Sequence, residues 1–420
     1  MGKIKYNWAH NWIHLTLRDD AINLHRMLKG KIEIRSRVSL DNASEERGTL
    51  GLIYTPGVAY VALEISNHKK LAYDYTSKWN NVAIICDGTR VLGLGNIGPE
   101  GALPIMEGKS VLFKALGDIN AIPLCINTQD KEEIIRFVKL IQPNFGAINI
   151  EDIESPKVLE IVERLSKEVS IPVFHDDQHG TAIITLAALI NALKLVKKEL
   201  SKVRVVISGS GSAGYGIFKI LQTAGCKDII VTDTKGAIFD GRVDIDYQNP
   251  YKKDIANNTN AGKLNGTLPE VISNSDVFIG VSGKAGILNK QMIESMNKDA
   301  IVFALSNPDP EIIPSFALKY GAKIVATGRS DFPNQINNAV VFPSVFRALL
   351  DLRANNLSEF MLVSVAHAIA SIVEDIHLRN DYIIPKVDDP RILPIVTKTI
   401  KKVLGRHIKN KVDSKSRTKN

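Results

Sequence analysis

Residues 203–233 read VRVVISGSGSAGYGIFKILQTAGCKDIIVTD. A β-branched apolar run leads into glycines spaced G-x-G-x-x-G, a segment of helical periodicity follows, and a second apolar run ends in Asp233. A strand before the glycines, a helix after them and an acid closing the next strand specify a dinucleotide-binding βαβ unit. Gly209 permits the tight turn, Gly211 lets a pyrophosphate approach the backbone, and Gly214 lets the helix pack close to its strand. The N–H groups of Ser212 and Ala213 open the helix and face the phosphates. Asp233 is placed to accept hydrogen bonds from the adenosine ribose, which favours NAD. Lys235, two residues on, tolerates a 2′-phosphate and keeps NADP in play. The same spacing recurs at 93–98 (GLGNIG), but Pro99 follows it and no acid ends the next strand. That copy reads as a tight loop bringing backbone close to a small ligand.

Working outward, apolar runs alternate with longer segments of 3.6 periodicity, the pattern of a parallel α/β sheet. Strands are expected at 81–87, 121–127, 145–150, 171–175, 203–208, 228–233, 276–282, 300–306 and 323–328. Residues 155–169 predict an amphipathic helix with Ser155 as its cap and Pro156 in its first turn. Residues 181–198 are apolar nearly all round, so that helix is expected to be buried between domains. Residues 257–266 (NNTNAGKLNG) read as a surface loop. The fold class is α/β. It comprises an N-terminal α/β domain (1–195), a Rossmann-type NAD(P)-binding domain (196–352), and C-terminal helices with a basic tail (353–420).

A chain of 420 residues exceeds one ordinary core. With 45% hydrophobic and 23% charged residues it has a globular composition. No uninterrupted apolar run reaches the ~18–20 residues of a membrane span, and the N-terminus lacks the apolar core of a signal peptide. No membrane partner is expected. Cys86, Cys125 and Cys226 are odd in number and far apart, which favours buried thiols in a reducing compartment and a cytoplasmic location. The net charge of +8 lies partly in the tail 401–420, read as solvated and partly disordered. No aromatic–basic stripe or nucleic-acid motif accompanies it, so nucleic acid is not an expected partner. The basic balance suits anionic substrates.

Two strands end in paired acids, Glu151–Asp152 and Asp176–Asp177. One helix separates them, so the strands are expected to be parallel neighbours with both pairs at their carboxyl ends, where open sheets bind ligands. Such carboxylates repel unless a cation sits among them, and oxygen donors suit Mg²⁺ or Mn²⁺. The alternative is loop acids facing solvent. His175 and His179 echo the H-E-x-x-H zinc pattern, but the glutamate is replaced and no third ligand follows. Residues 107–116 read as a helix start with Lys109 in its first turn, where the helix dipole and nearby cations would lower its pKa for general-base work. Tyr54 precedes a Pro-Gly turn that fixes its direction; the default for it is a buried structural tyrosine. Arg90 follows a strand and suits bidentate binding of a carboxylate. Asn307, Asn337 and Asn338 fall at strand ends of the second domain, where amides read a polar substrate or the nicotinamide.

Together these motifs resemble the malic enzymes, in their small-subunit bacterial and archaeal form. The resemblance runs from about residue 21 to 405. It rests on YTPGVA, DGTRVLGLGNIGPEGALPIMEGKSVLFK, INIEDI, IPVFHDDQHGTA, GSGSAG, SNPDPE and NQINNAVVFP, in that order. It implies oxidative decarboxylation of L-malate to pyruvate and CO₂ with NAD(P)⁺ and Mg²⁺ or Mn²⁺, oxaloacetate decarboxylation beside it, and a homodimer. It carries the catalytic tyrosine onto Tyr54, the catalytic lysine onto Lys109, and the metal ligands onto Glu151, Asp152 and Asp177, with Asp176 assisting. Asn307 and Asn337 or Asn338 match substrate-side asparagines, and Arg90 an arginine that holds malate. The first 20 residues match no part of the family pattern, and YTPGVA continues YVALE where many members carry an acid and a proline. The alternatives are a dehydrogenase of another 2-hydroxy acid and a nucleotide-sensing regulator on the same fold. A regulator has no need of Tyr54, Lys109 and three carboxylates together.

Overall fold

The computed structural model describes residues 17–40, 48–91, 93–245, 249–355 and 357–417; the N-terminal stretch read for a signal peptide falls mostly outside them. A first sheet is built from β1 (Asn81–Cys86), β2 (Asn120–Cys125), β3 (Ala147–Ile150) and β4 (Val173–His175), in the order β2-β1-β3-β4. A second is built from β5 (Arg204–Ser208), β6 (Asp228–Asp233), β7 (Gly236–Ala237), β8 (Val277–Gly280), β9 (Ile301–Ala304) and β10 (Ile324–Thr327), in the order β10-β9-β8-β5-β6-β7. Every pairing is parallel except β7, which returns antiparallel to β6. The fold is α/β, as the sequence predicts.

Parallel strands are covered on both faces, which is why their sequences are apolar without alternation. Val82, Ile84 and Cys86 of β1 enter one core, and Ala83 and Ile85 the other. Each is fully buried, and each large aliphatic side chain contributes roughly 1.5–3 kcal/mol. The helix Thr181–Val196 is buried along most of its length and packs on the helices Ser212–Thr223 and Glu359–Ala370. The C-terminal helices return to the first half of the chain: Phe342–Asp351 packs on both Gly98–Gly117 and Ile392–Arg417. Phe113 meets Phe342 and Phe346 there, with ring centroids 4.6 and 5.1 Å apart.

One close approach joins the two sheets. The helix Ser212–Thr223 rests on the turn Asp176–Gly180, and a Cβ at Gly216 would stand 2.3 Å from the Gln178 carbonyl oxygen. Only glycine allows that seam.

Several local expectations are corrected. Ser155 makes no cap; the helix runs Lys157–Glu168 with Pro156 at its N-cap. The helix carrying Lys109 spans Gly98–Gly117, opened by Pro99 and containing Pro104, so Lys109 lies mid-helix. The segment 257–266 is not wholly a surface loop: Thr259 and Asn260 are buried, because the Asn260 amide donates to the Ile238 and Leu264 carbonyls. The backbone of the tail continues the helix Ile392–Arg417 as far as the described residues reach. Among the described residues, two helical stretches are long and apolar enough to span a membrane. Asp176–Val196 is 67% buried in the fold, whereas Thr49–Asn67 is exposed and broken by a turn at Tyr54–Gly57.

Candidate active site

A cavity of about 800 Å³ opens between the carboxyl ends of the two sheets. Its first wall carries Arg90, Glu151, Asp152 and Asp177; its second carries Gly211, Ser212, Ala213, Asn307, Asn337 and Asn338. Parallel β3 and β4 bring the acidic pairs together as expected. One carboxylate oxygen from each of Glu151, Asp152 and Asp177 lies within 4.8 Å of the other two.

The chemistry of that cluster suits it to hold a cation. Burial and the neighbouring acids push Glu151 well above the ordinary carboxylate range, and burial followed by the Asp177 charge pushes Asp152 up to about 8. Three converging carboxylates, of which only Glu151 is paired with a lysine, match the donor set of a hard divalent cation. Asn149 donates to Glu151 Oε2 at 2.9 Å, and His175 Nε2 lies 3.4 Å from Asp177 Oδ2. Both are fully buried and orient ligands from behind. The zinc-type histidine pair does not form: His179 Nδ1 accepts from the His175 backbone N–H at 3.2 Å and its ring packs against Phe174 at 5.2 Å.

Asp176 turns away to Lys109. The lysine Nζ donates to Asp176 Oδ2 at 2.5 Å and to Glu151 Oε1 at 2.7 Å, and it stands 4.3 Å from the centroid of the Phe342 ring. The expectation of a lowered lysine pKa is therefore wrong. Burial does pull it down, but the Asp176 and Glu151 charges outweigh burial and hold the ammonium above its usual range. At mid-helix Lys109 lies away from the helix N-terminus and meets carboxylates in place of cations.

The glycine loop is built as read. Gly209 has φ +118° and a Cβ at Gly214 would meet the Gly209 carbonyl at 1.9 Å, while Gly211 faces open space toward the cavity. Gly211 is the N-cap of Ser212–Thr223, so the N–H groups of the first turn point outward. From the first copy, Gly95 lines the cavity and Gly98 begins the Lys109 helix. Asp233 ends β6, but its oxygens are occupied. Arg242 donates to both at 3.1 and 2.6 Å, the Lys235 backbone N–H donates at 2.8 Å, and Lys252 sits 2.6 Å away. Despite burial, these partners hold Asp233 down at about 2. The sequence carried no signal for Arg242 or Lys252, which reach Asp233 from a loop and a helix beyond β7.

Arg90 has no ion pair among the described residues and lies against Gly283 across the cavity. Asn338 accepts from Thr181 Oγ1 at 3.2 Å and Asn337 caps its own short turn. Tyr54 is not brought here. It ends the helix Thr49–Ile53, is 66% exposed and does not line the cavity, so neither the buried structural role nor a place in its own protomer's site is realised.

The sequence model of the malic enzyme NAD binding domain matches residues 178–403, and that of the malic enzyme N-terminal domain matches 29–166. The chain belongs to the malic enzyme family. It is 50% identical over 388 residues to the bifunctional malic/malolactic enzyme of Bacillus subtilis, covering 92% of this chain and 93% of that one. It is 48% identical over 371 residues to the NAD-dependent malic enzyme of Geobacillus stearothermophilus, covering 88% and 76%. The crystal structure of the NAD-dependent malic enzyme of Thermotoga maritima superposes with a TM-score of 0.86 at 45% identity, covering 91% of this chain and 99% of that one. The two matched regions meet at the cavity between the acidic wall and the glycine loop.

Proposed function

We propose that the protein oxidatively decarboxylates L-malate to pyruvate and CO₂ with NAD(P)⁺, using Mg²⁺ or Mn²⁺ held by Glu151, Asp152 and Asp177, and that it also decarboxylates oxaloacetate. The observation carrying this reading is the carboxylate triad beside Lys109, facing the glycine loop across one cavity. Residues 1–195 hold substrate and cation, 196–352 the dinucleotide, and 353–420 brace the first half. When bound, the cation supplies Lewis-acid stabilisation of charge on substrate oxygen and the dinucleotide accepts hydride. Arg90 binds a malate carboxylate, and Asn307, Asn337 and Asn338 orient substrate and nicotinamide. Lys109 takes the C2 hydroxyl proton. Asp176, in contact with Nζ, receives the proton that frees the amine, and a cation held by Glu151 would weaken that residue's hold on the ammonium. Tyr54 donates a proton to C3 of enolpyruvate. The direct test is NADH formation from malate with Mn²⁺, its loss with EDTA, and its restoration by metal; absence of turnover under all conditions ends the proposal.

The charge around Asp233 sets the cofactor preference. Its carboxylate repels a 2′-phosphate, but Arg242 and Lys252 share that charge, so the preference for NAD⁺ over NADP⁺ is expected to be modest, ~10-fold in kcat/KM, or about 1.4 kcal/mol. Asp233→Ala should erase it. Equal use of both cofactors by the wild type would show that the cations dominate.

The homodimer is proposed on the face formed by Thr49–Asn67, where Leu52, Tyr60 and Leu63 stand 66%, 73% and 63% exposed. A contiguous apolar face of this kind marks an interaction surface. A second copy covers it and brings its Tyr54 toward the cavity. Leu52→Asp with Leu63→Asp should convert a dimeric mass in sedimentation to a monomeric one; a monomeric wild type at micromolar concentration contradicts the proposal. We place the protein in the cytoplasm, supported by its three free thiols.

A further inference from the structure

Two of those thiols are neighbours. β1 and β2 run parallel in register with Cys86 directly beside Cys125 at their carboxyl ends. Both side chains leave on the same face: Cys86 belongs to the core beneath the Lys109 helix and Cys125 packs against it, whereas Ile85, Leu124 and Ile126 face the other core. Adjacent strands lie about 4.8 Å apart, inside the roughly 4.4–6.8 Å Cα separation that a disulfide accepts. The two thiols are near enough to influence each other's ionisation. Cys125 is half-exposed and Cys86 buried. This is a partly accessible thiol with a fully buried thiol behind it, the arrangement of redox-responsive cysteines.

We propose that Cys86 and Cys125 are a reversible dithiol switch oxidised by a peroxide. The Cys125 thiolate attacks one peroxide oxygen; the S–O bond forms, the O–O bond breaks, and the departing hydroxide takes a proton to become water. The Cys86 sulfur then attacks the Cys125 sulfenic sulfur, the S–S bond forms, the S–O bond breaks, and the second hydroxide leaves as water with the Cys86 proton. Two thiols lose two electrons and one peroxide becomes two waters.

The switch acts on the site through the loop that follows Cys86. The Gly88 N–H donates to Cys86 Sγ at 3.3 Å, and a Cβ at Gly88 would stand 2.1 Å from the Gly98 carbonyl, so this loop has no slack. Two residues on, the Arg90 N–H donates to the Asp152 carbonyl at 3.1 Å. Turning Cys86 toward Cys125 shifts the backbone that aims Arg90 and steadies Asp152. A displacement of about 1 Å at such positions costs up to ~100-fold in rate.

The test treats the full-length protein with hydrogen peroxide, then alkylates and digests it. The expected result is one intramolecular cross-link between the peptides holding Cys86 and Cys125, with Cys226 still alkylated, and reversal by dithiothreitol. Malate turnover, which rests on the function proposed above, should fall at least ~10-fold and recover with the reductant. Cys125→Ser should form no cross-link and keep its activity in peroxide. Overoxidation of either thiol without the cross-link, or a cross-link between two chains, overturns the switch itself. A cross-link that leaves turnover intact overturns only its control of the site. The cross-link is read by mass, so it stands or falls independently of the malate reaction.

Discussion

Lys109→Ala is expected to lose malate oxidation by ~10²–10⁴-fold, the usual cost of removing a positioned acid or base. It should lose oxaloacetate reduction equally, because both directions move a proton at the C2 oxygen. Tyr54→Phe should lose malate turnover on the same scale but reduce added oxaloacetate with NADH nearly as wild type does, since that reaction never protonates C3. The comparison is the oxaloacetate-reduction rate of the two variants side by side. An equal fall removes the division of labour; a larger fall in Tyr54→Phe reverses it. Removing Lys109 also strands Glu151 and Asp176, both buried, and an unpaired buried charge costs several kcal/mol. Rates are therefore taken below the variant's own melting transition. The exposure of Tyr54 adds a second reading from the same pair. If the tyrosine serves the neighbouring copy, co-expressing the two inactive variants restores turnover in the mixed dimer, whereas a tyrosine acting in its own protomer leaves the mixture inactive for malate.

Asp177→Asn is the second large effect. It removes one of three cation oxygens, so malate turnover should vanish while dinucleotide binding, read by fluorescence titration of NADH, survives. Thermal melts separate this from misfolding. Saturating Mn²⁺ at 100 times its Kd stabilises the wild type by about 2.7 kcal/mol, and the variant should gain nothing. Without metal the variant should melt close to the wild type: Glu151 and Asp152, both driven toward protonation, are relieved, but the His175 contact that holds Asp177 below the ordinary carboxylate range despite burial is weakened. Wild-type turnover by Asp177→Asn, or turnover unaffected by EDTA, removes the metal assignment.

Much of this was legible from local patterns. The strands were visible because buried parallel strands are apolar throughout, and the dinucleotide loop because glycine alone tolerates φ +118° at Gly209 and the 1.9 Å approach at Gly214. The acidic triad was legible because both pairs follow strands that one helix separates. What escaped depends on groups distant in sequence. Lys109 reads as a cation among cations until the fold sets Asp176 and Glu151 against it. Arg242 and Lys252 carry no pattern of their own, yet they occupy the oxygens of Asp233 that a ribose was expected to find free. Asn149 was visible in principle, as the polar member of the apolar strand AINI, and its reason appears only with Glu151 beside it. Tyr54 shows the limit in the other direction. Its motif is clear, but a single protomer leaves it in solvent.

The contact of Gly216 with Gln178 has a mechanical meaning. It lies where the dinucleotide helix bears on the turn next to Asp177, so it is a fulcrum with no room to slide. Any rocking of one sheet against the other moves residues in proportion to their distance from that point. The glycine loop and Asp177 adjoin it from either side and keep their separation, while Arg90 and Gly283, already in contact, are a second point where the two halves touch. The acidic cluster and the glycine loop thus share one pivot.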